Sequence, residues 1–520
     1  MGKQMVSEDD FCDLDAALDY RNESSIVDEV DCGQLAGEEF RQLDSKVNSA
    51  EPTEKCSRKR DITCPLLTTV MMARPDSLGI SLNEWVNQGN SLSRADVSVA
   101  IIHLCRRRMY NKALQLLEWL ESTKFHNFVE QDYACHLNLI AKTQGLQEAE
   151  IYLDKVPKAF KGEVVYRTLL ANCVAPANVD KAEEVFHRMR DLGFSISAFA
   201  YTQLLLLYRK TNRKKIPDVL LIMEKDNVKP TLLMYKILID VKGLSRDIVG
   251  MEKVLENMKA ESIVPDNALR AMVACHYIAA GFNTKAEKIM KEIENDCCRG
   301  NSDAWRFLLP LYATQGKVDD VKRVWKSFEA SACIDDFVSA IKAWGKLGLV
   351  EEAETFFDKM AKKWKKIPTR CYNALLKVYA NHGLLSKGKD LAKTMSEAGC
   401  WVGPLTWDAL VKLFVKAGEV EKAESMLQKA AAQKRNRPLY GSYITLLDKY
   451  AEMGDVHNAE KIFHRLRQEK YRRNVNQYQL LAKAYKNAGT PAYGLRERMK
   501  ADNVFPGKIF FEELATYTKL

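Results

Sequence analysis

One pattern constrains this chain more than any other. An aromatic residue, one variable position and an apolar pair return at a nearly fixed interval. The pattern reads Tyr166-Arg-Thr-Leu-Leu, Tyr201-Thr-Gln-Leu-Leu, Tyr235-Lys-Ile-Leu-Ile, Tyr372-Asn-Ala-Leu-Leu, Trp407-Asp-Ala-Leu-Val, Tyr443-Ile-Thr-Leu-Leu and Tyr478-Gln-Leu-Leu-Ala. From Tyr166 the next steps are 35 and 34 residues, and from Tyr372 they are 35, 36 and 35. A second marker, Gly followed five residues later by Ala, keeps the same phase at Gly348/Ala353, Gly418/Ala423 and Gly454/Ala459. A fixed period of this length means a repeat array, and each unit is one supersecondary motif.

Each unit reads as two helices. Tyr372, Leu375, Leu376 and Tyr379 form an apolar stripe at helical spacing. Gly383, Gly418 or Gly454 then supplies a left-handed residue that ends the helix without a Cβ penalty. A second helix opens on Asp180 or Glu421 and carries Ala182, Phe186 and Met189 on one face. Pro230 and Pro265 mark exits where a helix does not continue. A single hairpin cannot bury both of its stripes, whereas stacked neighbours bury a continuous seam. The fold class expected is all-α, a right-handed α-solenoid of helix-turn-helix units of about 35 residues. The organisation expected is an acidic, disordered segment over 1–60, a helical lead-in over 61–93 centred on Leu82–Gln88, the array over 94–489, and a capping helix and tail over 490–520. Eleven units run from Arg94 to Asn474 with a worn twelfth to Gly489; in the unit at Asn267–Glu294, Arg270 stands where the aromatic belongs.

At 520 residues the chain exceeds what one ordinary core supports, in keeping with an array. Hydrophobic residues at 47% and charged residues at 28% exclude a collagenous or wholly disordered chain, and no apolar run reaches bilayer-spanning length. Residues 1–54 hold fifteen acidic and four basic side chains, a net −11, so the +9 total leaves +20 on the remainder. A basic body of this kind suits a polyanionic partner. The thirteen cysteines are scattered and odd in number, with Cys105, Cys173 and Cys275 at core positions, a pattern of free thiols rather than a disulfide framework.

The strings Tyr372-Asn-Ala-Leu-Leu-Lys-Val-Tyr-Ala-Asn-His-Gly383 and Trp407 to Ala423 resemble pentatricopeptide repeats. So do the 35-residue step and the ends Val-Lys-Pro-Thr231 and Val-Pro-Asp266. The chain is similar to plant mitochondrial proteins built only from the standard repeat, and the resemblance spans about three quarters of its length. That resemblance implies binding of single-stranded RNA, with two or three side chains reading a base per repeat. It implies base-facing roles for the residue after the first-helix aromatic, here Arg167, Thr202, Lys236, Arg306, Asn373, Asp408 and Gln479. The last residue of the repeat assists, here Ser197, Thr231, Asp266 and Asn474. Gly403 and Ile444 offer no hydrogen-bonding side chain at such places. Eight residues after the reading slot the family often has Lys; Arg106, Lys142, Lys210, Lys346 and Lys416 stand there as candidate phosphate contacts. Surplus lysines at helix ends are also what the helix dipole alone favours.

No histidine begins an H-x-E, and no C-x-x-C or phosphate-binding glycine loop occurs. His457, Glu460 and His464 share a helical face, better read as solvated than as a metal site. The chain is therefore read as non-enzymatic and free of cofactors. It is expected to be a monomer without membrane insertion that binds single-stranded RNA and works beside other RNA-processing proteins. A protein-binding scaffold and organellar DNA binding are the alternatives. The resemblance implies the mitochondrial matrix, although Met1–Glu54 is acid-rich where transit peptides are Arg-rich. The acidic stretch resembles the linker that follows the presequence in similar proteins.

Overall fold

The structure is a computed structural model. It describes residues 65–510 except 75–76, 91, 126, 299–303, 433–437, 470, 472, 493, 503, 506 and 508–509, so the acidic opening segment lies outside the described residues. Among the described residues there are twenty-six α-helices and no strand. This is an all-α helical-repeat fold. The chain falls into two compact units, divided between Ala286 and Glu287.

In the first unit the first helices of successive hairpins pack side by side. Glu130–Thr143 contacts Glu163–Val174, which contacts Ala198–Lys210, followed by Leu232–Leu244 and Asn267–Ala280. Those from Glu130–Thr143 to Leu232–Leu244 also pack on their own second helices, as Glu163–Val174 does on Val179–Asp191. The second unit repeats the arrangement through Trp305–Thr314, Ile334–Lys346, Thr369–His382, Pro404–Lys416, Tyr440–Met453 and Val475–Asn487. First helices are therefore sandwiched. In Ala198–Lys210 every residue from Ala200 to Tyr208 is buried, whereas Val179–Asp191 buries only Ala182, Val185, Phe186 and Met189. The stripe Tyr372, Leu375, Leu376 and Tyr379 is buried, as are Cys105, Cys173 and Cys275. Helix Asn267–Ala280 forms with Arg270 in the aromatic's place because Leu269, Met272, Val273 and Tyr277 still fill its buried face.

The segment before the array holds two helices, Pro65–Met72 and Leu78–Asn87. Lys112 Nζ donates to the carbonyls of Val70, Met71 and Ala73 at 3.0, 2.8 and 2.9 Å, satisfying the acceptors that the first of these helices leaves open. Further on, Leu495–Ala501 follows Val475–Asn487 as a short second helix.

Turn chemistry follows the sequence. Gly383 and Gly454 cap their helices in the left-handed region, each at φ 69°. Gly454 is doubly required, since a Cβ there would lie 3.1 Å from Ala488 N and from the Asn487 carbonyl carbon. Gly489 has the same handedness, φ 64°, with open space around it. Gly454→Ala is expected to cost about 2 kcal/mol and Gly489→Ala about 1 kcal/mol, the difference being the close approach. Paired urea titrations of the two variants check this.

Neighbouring hairpins are joined by a recurring three-residue clasp. A glutamate on one second helix accepts a hydrogen bond from a tyrosine hydroxyl of the next first helix, 25 or 26 residues later. A cation from the following second helix, or from the turn before it, meets the same carboxylate. Glu183 takes Tyr208 at 2.7 Å and Lys215 at 2.5 Å; Glu252 takes Tyr277 at 2.8 Å and Lys285 at 2.6 Å. In the second unit Glu424 takes Tyr450 at 2.8 Å and Lys461 at 2.7 Å, and Glu460 takes Tyr485 at 2.8 Å and Arg498 at 2.7 and 2.9 Å. Glu354 pairs with Lys387 at 2.7 Å and interacts with Tyr379 in the same way. Burial would raise the Glu424 and Glu460 carboxyls, but the donors around them outweigh it and hold both below the ordinary value. The phenols shift the other way: burial first, then Glu460, pushes Tyr485 up to about 12.

Candidate nucleic-acid interface

The residue after each aromatic lies in the first turns of a first helix. The next hairpin's first helix begins beside it, so a slot side chain meets the opening turn of its neighbour. Lys236 and Asp266 make this contact directly, Nζ to Oδ2 at 2.6 Å. Asp266 also caps its own helix, its Oδ1 accepting from Leu269 N at 2.8 Å. Arg167 and Ser197 meet through a third residue. Glu163 accepts from Arg167 Nη1 at 3.3 Å and from Ser197 Oγ at 2.5 Å. Asn373 Oδ1 accepts from Thr406 Oγ1 at 2.8 Å, and Asp408 Oδ1 from Ser442 Oγ at 2.7 Å.

The slots differ in what they leave open. Thr202 is only 4% exposed and its hydroxyl donates to Ala198 O at 2.8 Å. Arg167 is 8% exposed, with its guanidinium 5.5 Å from the Phe199 ring centre. Arg306, Asn373 and Asp408 are half-buried, and Gln479 is exposed. Among the repeat-end residues, Thr231 caps its helix by accepting from Met234 N at 3.4 Å. Asn474 accepts from Gln477 N at 3.1 Å and donates to Tyr440 OH at 2.9 Å.

The five candidate phosphate contacts all lie in the last turn of a first helix. At 1.5 Å per residue this is roughly 12 Å along the axis from the slot. Arg106, Lys210, Lys346 and Lys416 are exposed, and Lys142 is half-buried with Nζ 5.0 Å from the Tyr110 ring centre. Lys416 Nζ also donates to Asn381 O of the preceding first helix at 2.5 Å. His382 bonds Gly345 O at 2.8 Å in the equivalent way, and Asn487 bonds Ala451 O at 2.8 Å.

Sequence reasoning missed Glu163, Thr406 and Ser442. Thr406 and Ser442 each directly precede the aromatic and are buried, and that shared place was the available signal. The face carrying His457, Glu460 and His464 is organised by the clasp, since Arg498 and Tyr485 occupy the Glu460 carboxylate and His464 Nε2 stays 3.8 Å away. Among the described residues no group of three metal-binding side chains converges, and no helix is long and apolar enough to cross a membrane.

Comparison with known proteins agrees with the period and the hairpins. The PPR repeat pattern matches residues 164–194, 337–364, 370–400 and 405–430, and the pentatricopeptide repeat domain pattern matches 184–245 and 437–488. A mitochondrial pentatricopeptide repeat-containing protein of Arabidopsis thaliana is 47% identical over 450 residues, covering 86% of this chain and 76% of the relative. The chain belongs to the pentatricopeptide repeat family. A second mitochondrial pentatricopeptide repeat-containing protein of Arabidopsis is 48% identical over 439 residues, covering 84% of this chain and 74% of the relative. Among solved structures, pentatricopeptide repeat protein PPR10 from maize matches at a TM-score of 0.45 and 17% identity, covering 95% of this chain and 76% of that one. The structure of PPR10 in complex with an 18-nt psaJ RNA element matches at a TM-score of 0.38 and 17% identity, covering 95% of this chain and 82% of that one.

Proposed function

We propose that this pentatricopeptide repeat protein binds single-stranded RNA in mitochondria and acts without catalysis on transcript processing, stability, editing or translation. The observation that carries this reading is the recurring junction of slot and neighbouring first turn, Lys236–Asp266 and Asn373–Thr406 among them. It sets polar groups in series at one end of the first helices, with cations at the other end. Short polar groups can discriminate donors from acceptors on a base edge, while the cations neutralise phosphates irrespective of sequence. The +20 balance outside the acidic opening supports the same partner. The mitochondrial relatives support the location.

The reading predicts different effects from the two ends of the helix. Asn373→Ala is expected to change base preference at one position more than overall affinity. Lys346→Ala is expected to weaken all sequences alike and to reduce the salt slope of log K by about 0.7. Filter binding of the full chain to randomised oligoribonucleotides over a salt series checks both, and a flat salt response would count against RNA. A protein-binding scaffold is the second reading, favoured by the closed slots at Arg167 and Thr202. Purification with a stoichiometric protein and no nucleic-acid absorbance would favour it.

A further inference from the structure

Trp401 is 62% exposed, an unusual setting for an indole, and has no aromatic partner among the described residues. It lies two residues before Gly403, the N-cap of helix Pro404–Lys416. In three other repeats the N-cap residue sends a side chain back toward the preceding hairpin, Ser197 to Glu163, Asp266 to Lys236 and Asn474 to Tyr440. Gly403 has none to send. The Trp401 ring fills that direction instead: a Cβ built on Gly403 would lie 2.5 Å from Cζ3 and 3.0 Å from Cη2 of the indole. One turn into the same helix, Thr406 holds Asn373 of the preceding slot. The indole thus stands where the repeat-end side chain of the Asn373 slot is missing.

The surroundings name the ligand chemistry. The place six residues before the aromatic is cationic in four repeats, at Lys229, Lys366, Arg437 and Arg472, is Phe160 and Ser195 in two others, and is taken by Trp401 here. Lys229 and Lys366 are exposed. The connector bearing Lys366 runs beside that of Trp401, with Cys400 Sγ donating to Ile367 O at 3.7 Å. An exposed aromatic on a connector beside that of the exposed Lys366 suits an unpaired base on a polyanionic strand, because every base has a face to stack and a phosphate to neutralise.

We propose that Trp401 is a stacking platform for one unpaired base of a bound RNA strand, supplying at the Asn373 slot the contact that Gly403 cannot make. This rests on the RNA-binding reading and adds to it a sequence-tolerant contact. The test is equilibrium binding of the full chain to fluorescein-labelled oligouridine and oligoadenosine, with heparin as a polyanion that lacks bases. Trp401→Ala is expected to weaken both oligonucleotides by roughly 5- to 100-fold and to leave heparin affinity unchanged, while Trp401→Phe keeps most of the binding. Gly403→Ala, which drives a methyl into the ring, is expected to give a smaller loss of the same kind. Oligonucleotide binding undiminished in Trp401→Ala, or a matching loss of heparin, overturns the platform alone. An unmodified chain that retains neither oligonucleotide at low salt overturns RNA binding itself, and the platform with it.

Discussion

Trp325→Ala is expected to destabilise the 287–510 unit by about 3–5 kcal/mol, the range for removing a large buried aromatic. Trp325 is buried on helix Val318–Phe328, with ring centres of Phe328, Phe337 and Phe356 at 5.1, 5.0 and 4.8 Å, all edge-on. Phe337 and Phe356 belong to both helices of the next hairpin, so one indole seals the joint between two repeats. Truncation leaves a void bounded by rigid rings, which collapse poorly into it, and forfeits edge-to-face contacts beyond the area term. Contacts in an array are between nearest neighbours, so the loss is expected to separate part of the second unit as an earlier unfolding step. Urea unfolding followed by circular dichroism checks this. Trp401→Ala is the control: its exposed indole predicts a change within about 0.5 kcal/mol, and an equal loss in both variants would refute the assignment.

Breaking one clasp should have the next largest effect. Glu424 is 8% exposed and is held by Tyr450, Lys461, Arg465 Nη1 at 3.2 Å and Gln428 Nε2 at 3.1 Å. Glu424→Ala is expected to cost about 2–4 kcal/mol, because it strands a buried phenol and two cations. At the exposed pair Lys393–Glu397, 3.9 Å apart, Glu397→Ala should change stability by less than about 0.5 kcal/mol. The clasps also set an acid limit. Glu183, Glu252, Glu424 and Glu460 are all held below the ordinary 4.5 in the folded chain. Their contribution is therefore complete above that value and is lost as pH falls through the lower folded values. Thermal unfolding scanned from neutral pH downward should show a midpoint steady at first and then falling, with a shallower fall in Glu424→Gln.

Much of this architecture is readable in one dimension because residues such as Tyr372, Leu375, Gly383 and Ala423 perform the same packing task in most units. The left-handed Gly383 and Gly454 lie where the period places them. Arg270 blurs the period without breaking the helix, since the remaining apolar positions carry the burial. The clasp escaped the sequence reading although its members are regular. Glu183, Glu354, Glu424 and Glu460 each follow the close-contact Ala, a place that looks like an ordinary solvated second-helix face. Only packing shows that a phenol 25 residues on bends toward it. The slots are the least legible part. Thr202 looks like a good base reader, but its hydroxyl has a carbonyl one turn back, and Arg167 is drawn to Glu163 and Phe199. Those competitors lie on the same turn or in the next unit, and the identity of the slot residue does not record them.

The clasp gives chain length a natural step. Glu183 stands to Tyr208 as Glu460 stands to Tyr485, so the clasped joints offer the same socket. Excising one whole period between equivalent points delivers an older carboxylate to a newer phenol at a separation both already use. Excising half a period sets two outer helices in succession, with no hydroxyl to answer either. Such a chain grows or shrinks in whole hairpins.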